Sequence, residues 1–200
     1  LIIHAKEHKN AAEELAKWKN KRGLYTETVS IEAVGNSVNE IKKYIRERRG
    51  FKSSRLRYVL LFGHDNTIAT ETIKKKNAEP YISDYYYSTK VDQDEDNPYV
   101  MPWLSIGRIP VRTEKDGMTV VNKIISYESN PPVNPKYYRS TSFVACFEDQ
   151  PFENNPPDLR EDRNYVKTME DIRKDMIKYE FDVDRFYIAA KSYSKEENQS

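Results

Sequence analysis

Few side chains in this chain are of the types that form a nucleophile and its base. The sequence contains one cysteine, Cys146, and three histidines, His4, His8 and His64. A thiolate and an imidazole within hydrogen-bonding distance of each other can carry out acyl transfer. Cys146, however, lies inside the apolar run at residues 143–147, a setting typical of a buried and inert thiol. We therefore expect Cys146 to be structural.

An acidic run at residues 92–97 is the other group that suggests chemistry. Asp92, Asp94 and Asp96 stand at alternate positions, so their carboxylates can converge on one hard cation such as calcium. The glycine and the distal glutamate of an EF-hand loop are absent from this run. The pattern leaves two interpretations open, a calcium site and a solvated acidic turn.

The elements that would position such groups alternate between strand and helix in the first third of the chain. Strands are predicted at residues 1–5, 24–30 and 57–62. Helices are predicted between them, one with Asn10 as its N-cap and Gly23 at its end, the other capped by Ser37. This β-α-β-α-β order predicts an α/β fold, a parallel sheet flanked by helices on both faces.

Ligands of parallel sheets bind where the strands end. Gly63, His64 and Asp65 follow the third predicted strand and so belong to the candidate functional edge. His4 and His8 lie in or beside the first strand and are interpreted as structural. Residues 102–128 form a further unit, in which a strand ends at Pro110 and a helix begins after the N-cap Thr113. We expect the strand ends near Gly63 and Gly107 to lie on one side of the sheet.

Three prolines within residues 130–135 predict a boundary between two parts of the chain. Residues 1–132 are predicted to form an N-terminal α/β subdomain. Residues 136–200 are predicted to begin a second subdomain that these residues leave incomplete. This second part contains a strand from Ser140, a polar loop over residues 148–157, a helix near residues 165–179 and a strand over residues 183–190.

The composition excludes several classes of protein. The 200 residues carry a formal net charge of +1, so no global field points to nucleic acid as a partner. A single cysteine excludes an internal disulfide framework and a multi-cysteine zinc site. No apolar run approaches the roughly 20 residues that span a bilayer. The chain opens directly on a strand without the regions of a signal peptide, and we expect it to begin inside a longer precursor.

Four short stretches match the motifs of a known family, which is more specific information than their pattern of apolar residues gives. Together, and in this order, they resemble motifs of gingipain-type cysteine peptidases: a "WK-x-x-R/K-G" helix end, a "YVLL-x-G" strand, an "SD-x-x-Y" segment, and an "IGR" strand before a helix that ends in "Tyr-Glu". In this chain they are Trp18-Lys19 with Arg22-Gly23, Tyr58 to Gly63, Ser83-Asp84 with the tyrosines after it, and Ser105 to Thr113 with Tyr127-Glu128.

The resemblance implies a caspase-like α/β fold and peptide-bond hydrolysis by a Cys/His dyad. In this family the catalytic histidine belongs to a "His-Gly" motif, and the nucleophilic cysteine lies on the strand after it. Neither the "His-Gly" motif nor a cysteine after it occurs in this chain. The dyad is therefore expected C-terminal to this chain, and no catalytic residue is assigned within it. The resemblance also implies structural calcium, no cofactor required for the chemistry, and a secreted or cell-surface location. Expected partners are a protein or peptide substrate and the remainder of the catalytic domain, in the same or a second chain.

In arginine-specific members, an acidic residue at the start of a helix lines the pocket for a basic side chain. Residues 157–162 resemble that setting and place Asp158 at the pocket position, with Glu161 and Asp162 as alternatives. At this position solvated acids that favour the helix dipole are the other interpretation. Two other functions stay open for the whole chain, a catalytically inactive surface-binding module of the same fold and a transpeptidase.

Overall fold

The computed structural model describes residues 1–50, 54–75, 78–89, 101–147 and 164–188. The chain divides into two compact units, Leu1–Pro131 and Pro132–Ser200, and each is described by itself. Among the described residues, no helix combines the length and the apolar character needed to cross a membrane.

The first unit is built on a four-stranded, all-parallel sheet. The strands of this unit are β1 (Ile2–His4), β2 (Thr28–Ser30), β3 (Tyr58–Phe62), β4 (Glu71–Lys75), β5 (Ala78–Ser83) and β6 (Ser105–Ile109). The sheet order is β2-β1-β3-β6, while β4 and β5 form a separate antiparallel hairpin. Gly107 lies in the middle of β6, opposite Leu60, and β6 ends two residues later at Ile109. Because β3 and β6 are parallel and Phe62 pairs with Ile109, the strand ends near Gly63 and Gly107 lie on one side of the sheet, as expected.

Helices cover both faces of the sheet. They are α1 (Lys9–Lys21), α2 (Ile31–Val34), α3 (Val38–Gly50) and α4 (Glu114–Ser129), with 3₁₀ turns at Lys6–His8 and Tyr85–Ser88. Alternate strand residues point to opposite faces. Ile3 and Leu61 therefore join one buried cluster with Ile41 and Ile45 of α3, while a second cluster combines apolar residues of α1 and α4 with Ile2 and Phe62. The predicted α/β fold class is confirmed.

The structure corrects two local predictions. Asn10 is not an N-cap: the 3₁₀ turn places the start of α1 at Lys9, and the Asn10 amide donates instead to Glu114 (2.5 Å). The second strand covers only Thr28–Ser30. The side chain of Asn20 accepts from the Thr26 N–H and donates to the Thr26 carbonyl, both at 2.8 Å. Because these bonds replace a strand ladder, the preceding residues form a loop.

The other helix caps match their predictions. The Ser37 hydroxyl accepts from the Glu40 N–H (3.3 Å), and the Glu40 carboxylate accepts from the Ser37 N–H (3.0 Å). This reciprocal pair is a capping box. The hydroxyl of Thr113 accepts from the Asp116 N–H (3.1 Å) at the start of α4. Gly23 has φ +85° just after α1, where a side chain would cost free energy.

Helices α1 and α4 are linked near both ends. At their starts, Asn10 contacts Glu114. At their ends, the Trp18 indole N–H donates to the Glu128 carboxylate (2.7 Å), which also pairs with Lys19. These bonds hold the pKa of Glu128 below its usual range, chiefly through Lys19. The "WK" and "Tyr-Glu" stretches of the sequence thus meet at one contact.

The second unit contains a two-stranded parallel sheet. Its elements are α5 (Pro135–Arg139), β7 (Ser140–Cys146), α6 (Tyr165–Lys178) and β8 (Asp182–Ile188). Helix α6 packs on one face, where the Tyr187 hydroxyl donates to Glu170 (2.6 Å). On the other face Val144 and Phe186 are 64% and 57% exposed. Cys146 lies on this same face and is exposed, so the expected burial of its thiol is wrong. Strand alternation explains the difference, because Ala145 takes the buried position.

Candidate functional site at the carboxyl edge of the sheet

The candidate site begins where β3 ends and the chain turns through residues 63–69, here called the rim loop. Gly63 donates its N–H to the carbonyl of Ile109 at the end of β6 (3.0 Å). A Cβ at Gly63 would lie 2.8 Å from Oγ1 of Thr67 and 3.2 Å from Cβ of Ala5. The close approach of the loop to β1 therefore requires glycine at this position.

His64 lies on this rim between an acidic and a basic side chain. Its Nδ1 contacts the carboxylate of Asp65 and lies 3.1 Å from the amide oxygen of Asn66. Its Nε2 lies 2.9 Å from Nη2 of Arg112. Because a guanidinium can only donate, Nε2 accepts this bond. The Asn66 N–H also lies 3.4 Å from Nδ1, so the ring is held by its neighbours at both nitrogens.

This geometry limits what His64 can do chemically. A carboxylate on Nδ1 and a lone pair on Nε2 form the orientation that a general base needs. Among the described residues, however, Arg112 is the hydrogen-bond partner of Nε2, and no nucleophile takes that place. The arrangement therefore positions a polar side chain at the edge without forming a nucleophile–base pair.

Arg108 of β6 holds the rim loop in place through hydrogen bonds to its backbone. Its guanidinium forms a two-point contact with Asp84, in which Nε and Nη2 each donate over 2.8 Å. The remaining donors reach the carbonyls of Gly63 (3.0 Å), Ile68 (3.0 Å) and Ala69 (3.3 Å). The side chain of Arg108 is only 10% exposed. A planar guanidinium can satisfy a carboxylate and several carbonyls at once, which an ammonium cannot.

Two more side chains complete the support of the rim loop. The hydroxyl of Tyr87, whose ring is fully buried, donates to the carbonyl of Ala69 (2.6 Å). Burial, with Asp84 nearby, raises the pKa of Tyr87 far above its usual value, so the hydroxyl keeps its proton. The Asn36 amide donates to the Thr67 carbonyl and accepts from the Ala69 N–H, both over 3.1 Å.

The sequence pointed to Asp84, Tyr87 and Arg108 as motif residues but not to their shared role. Asp84 and Tyr87 come from the "SD-x-x-Y" stretch, and Arg108 comes from the "IGR" strand. The usable signal was the arginine itself. A charged residue inside a short apolar strand favours a carboxylate partner, and an aspartate beside a run of tyrosines could supply one.

The other predicted site residues are not brought together here. Asp92, Asp94, Asp96, Asp158, Glu161 and Asp162 all lie outside the described residues. Cys146 is an exposed free thiol on β7. Among the described residues, no group of three or more His, Cys, Asp and Glu side chains could hold a metal ion.

His4 and His8 make contacts of a structural kind. The Nδ1 atom of His4 lies 2.9 Å from the carbonyl of Ala5. His8 is fully buried beside Phe62 and donates from Nε2 to the carbonyl of Val111 (3.1 Å). This bond joins the start of α1 to the connection between β6 and α4.

Comparison with known proteins gives this fold a family. Residues 1–200 match peptidase family C25. Gingipain R2 and gingipain R1 of Porphyromonas gingivalis are each 27% identical to the chain over 157 residues, which is 78% of it. The match covers 20% of gingipain R2 and 15% of gingipain R1. The chain thus spans well under half the length of these relatives.

Solved structures agree on the architecture. The crystal structure of the Arg-specific cysteine proteinase gingipain R (RgpB) superposes with a TM-score of 0.71 at 22% identity, over 98% of this chain and 42% of that one. A complex of the Porphyromonas gingivalis RgpB pro- and mature domains gives a TM-score of 0.68 at 21% identity, over 96% of this chain and 43% of that one. The fold is thus the caspase-like α/β fold of these structures. With a match along its whole length, the chain belongs to peptidase family C25.

Proposed function

We propose that this chain is the N-terminal part of the catalytic domain of a cysteine endopeptidase, whose Cys/His dyad lies C-terminal to residue 200. The observation that carries the proposal is the family match over residues 1–200. The mechanism would be attack by a thiolate on the scissile carbonyl, with an imidazole as the base. No cofactor is required for that chemistry.

In the proposed peptidase, the rim loop has a structural role and supplies no catalytic group. Arg108, Asp84 and Tyr87 fix the loop through buried hydrogen bonds, and His64 is held by Arg112. Such a network is suited to holding a rigid edge against which other parts of a catalytic domain can pack.

The partners follow from the same proposal. The substrate would be a protein or peptide. The remainder of the catalytic domain would cover the open face of β7 and β8, where Val144, Phe186 and Ile188 are exposed, because parallel sheets are normally covered on both faces. As in gingipain-type peptidases, the protein would act outside the cell or at its surface, with structural calcium.

We include in the proposal a specificity for arginine or lysine in the substrate. In this proposal Asp158 is the carboxylate of the substrate pocket. A carboxylate in a substrate pocket selects a basic side chain through a paired, hydrogen-bonded charge. One relative of the same fold is an Arg-specific cysteine proteinase by its own description. In the full-length protein, Asp158→Asn should lower kcat/KM for Arg and Lys substrates by about tenfold or more and leave Ala substrates nearly unchanged.

The full-length protein tests the proposed reaction directly. Peptides with a reporter after Arg, Lys or Ala should be hydrolysed, and prior thiol alkylation should abolish the hydrolysis. Addition of an amine nucleophile separates the transpeptidase alternative, because a transpeptidase would form the amide adduct in preference to the acid. Absence of both products with every peptide would favour the inactive binding module.

A further inference from the structure

A large open cavity lies at the edge of the sheet opposite the rim loop. It has a volume of about 1010 Å³ and extends past the starts of β1, β3 and β6, where Leu1, Tyr58 and Ser105 lie. Ligand cavities in proteins commonly reach this size. Because it lies at the amino ends of the strands, it is separate from the candidate site at their carboxyl ends.

The floor of the cavity is apolar. Ile2 and Leu15 are almost fully buried there, and Leu60 lies beside them on the same face of the sheet. Opposite Leu60 is Gly107, where an added Cβ would meet no atom within 4 Å. The space over Gly107 is therefore open, and an apolar part of a ligand would fit there in contact with the floor.

The mouth of the cavity carries excess positive charge. Arg48 lines it and pairs with Glu27, the carboxylate among the lining residues. Arg55 and Arg57 also line it, and within the described ranges no carboxylate forms an ion pair with either. Two guanidinium groups with free donors beside an apolar floor suit a ligand that has a carboxylate head on an apolar chain.

The backbone at this edge argues against a peptide strand as the occupant. Three of its N–H groups are already paired: Leu60 N–H donates to Leu1 O (2.9 Å), Ser105 N–H to Arg57 O (2.9 Å), and Ile2 N–H to Glu27 O (2.8 Å). A peptide that adds as a strand is recognised mainly by main-chain hydrogen bonds, and these groups offer it none. Recognition at these three positions therefore has to come from side chains.

We propose that this cavity binds a long-chain carboxylate, with the head group on Arg55 and Arg57 and the chain along Ile2, Leu15, Leu60 and Gly107. The site is independent of the proposed peptidase activity, because it shares no residue with the rim loop and needs no dyad. The pair formed by Arg48 and Glu27 shows that this cavity already accommodates a guanidinium–carboxylate contact.

Calorimetric titration with dodecanoate tests the site in the full-length protein. Saturable binding of one molecule per chain is expected, with no binding of acetate or of dodecyltrimethylammonium. The double variant Arg55→Glu with Arg57→Glu should weaken binding by about a hundredfold or more, since each of the two lost charged hydrogen bonds accounts for about tenfold or more. Arg46→Glu, an exposed arginine of α3 outside the cavity, is the matched control and should bind like the parent protein.

Gly107→Val is an independent second variant. It fills the space over the floor without touching an arginine, and valine is well suited to a strand. Circular dichroism and melting should show an intact fold, while dodecanoate binding falls by about tenfold or more. The proposal is overturned if dodecanoate does not bind, if dodecyltrimethylammonium binds equally well, or if folded Gly107→Val and the double arginine variant bind like the Arg46→Glu control.

Discussion

Arg108 makes more hydrogen bonds to the rim loop than any other described side chain. Its side chain is only 10% exposed, and its charge is balanced by Asp84, itself only 19% exposed. Replacing Arg108 by Ala would leave a mostly buried carboxylate without its partner and the carbonyls of Gly63 and Ile68 without their side-chain donor, while the Ala69 carbonyl would keep only the Tyr87 hydroxyl. We expect Arg108→Ala to lower the free energy of unfolding by about 3–5 kcal/mol. Urea denaturation followed by circular dichroism measures this loss.

The planar, forked hydrogen bonding of the Arg108 guanidinium can be tested separately from its positive charge. Arg108→Lys keeps the charge but cannot reach Asp84 and the carbonyls together, so it should also destabilise, by about 1–3 kcal/mol. Arg46→Ala, on an exposed part of α3, should change stability by less than about 0.5 kcal/mol. A fully stable Arg108→Lys would contradict the view that the planar fork is what holds the loop.

Tyr87 offers a second test at the scale of one atom. Tyr87→Phe keeps the buried ring and removes only the hydroxyl that donates to Ala69. Because the carbonyl then loses a buried donor, we expect a loss of about 1–2 kcal/mol in the free energy of unfolding. Tyr58→Phe is the control, since Tyr58 is 57% exposed and its hydroxyl should contribute little. Equal stability of the two variants would show that the bond to Ala69 is not stabilising.

At the scale of elements, the link between α1 and α4 gives a dependence on pH. The pKa of Glu128 is lowered in the folded state by its bonds to Lys19 and Trp18, so its contribution is present above the unfolded pKa and is lost as pH falls through the folded pKa. Glu128→Gln should cost about 0.5–1.5 kcal/mol at neutral pH. Melting temperatures of the parent and variant should converge at an acidic pH below the folded pKa of Glu128, where both side chains are neutral. A deficit of the same size at both pH values would contradict a role for the charge.

Elements set by local side chains could be predicted from the sequence, and those set by contacts across the chain could not. Ser37 and Thr113 cap their helices as predicted because each bond closes within three residues. The shortened β2 depends on Asn20, which bonds to Thr26 six residues further on. The rim loop depends on Arg108, whose carbonyl partners lie 39 to 45 residues away in sequence. Periodicity carries no information about such pairs.

The exposed Cys146 shows, within a single strand, the same limit of prediction from sequence. The apolar run predicts a buried thiol, whereas in the described part of the chain β7 pairs only with β8 and is covered by α6 on one face. Composition cannot tell which face of a two-stranded sheet is covered. The neighbours Ala145 and Cys146 therefore differ in burial although both are small and apolar.

The acidic run at Asp92, Asp94 and Asp96 gives a prediction for one segment of the chain. If the three carboxylates bind calcium, calcium at millimolar concentration should raise the melting temperature by stabilising the folded form through binding. Asp94→Ala should abolish this rise. Glu47→Ala, on the exposed face of α3, should leave it unchanged. The absence of a calcium-dependent rise in the parent protein would instead support a solvated acidic turn.

At the scale of the whole molecule, the prediction concerns where catalysis resides. Acyl transfer loses several orders of magnitude when its nucleophile or base is removed. Residues 1–200 alone should therefore hydrolyse no peptide, whereas the full-length protein should cleave after Arg or Lys. Reporter peptides assayed with equal concentrations of the two proteins measure the difference.

Cys146 provides the matched control for that experiment. Because its thiol is exposed, an alkylating reagent would modify it along with the proposed catalytic cysteine. Cys146→Ala should keep kcat/KM within about twofold and stability within about 0.5 kcal/mol, and its activity should still be abolished by alkylation. If residues 1–200 alone cleave peptides, and Cys146→Ala removes that activity, then the catalytic thiol is Cys146 and the proposed position of the dyad is wrong.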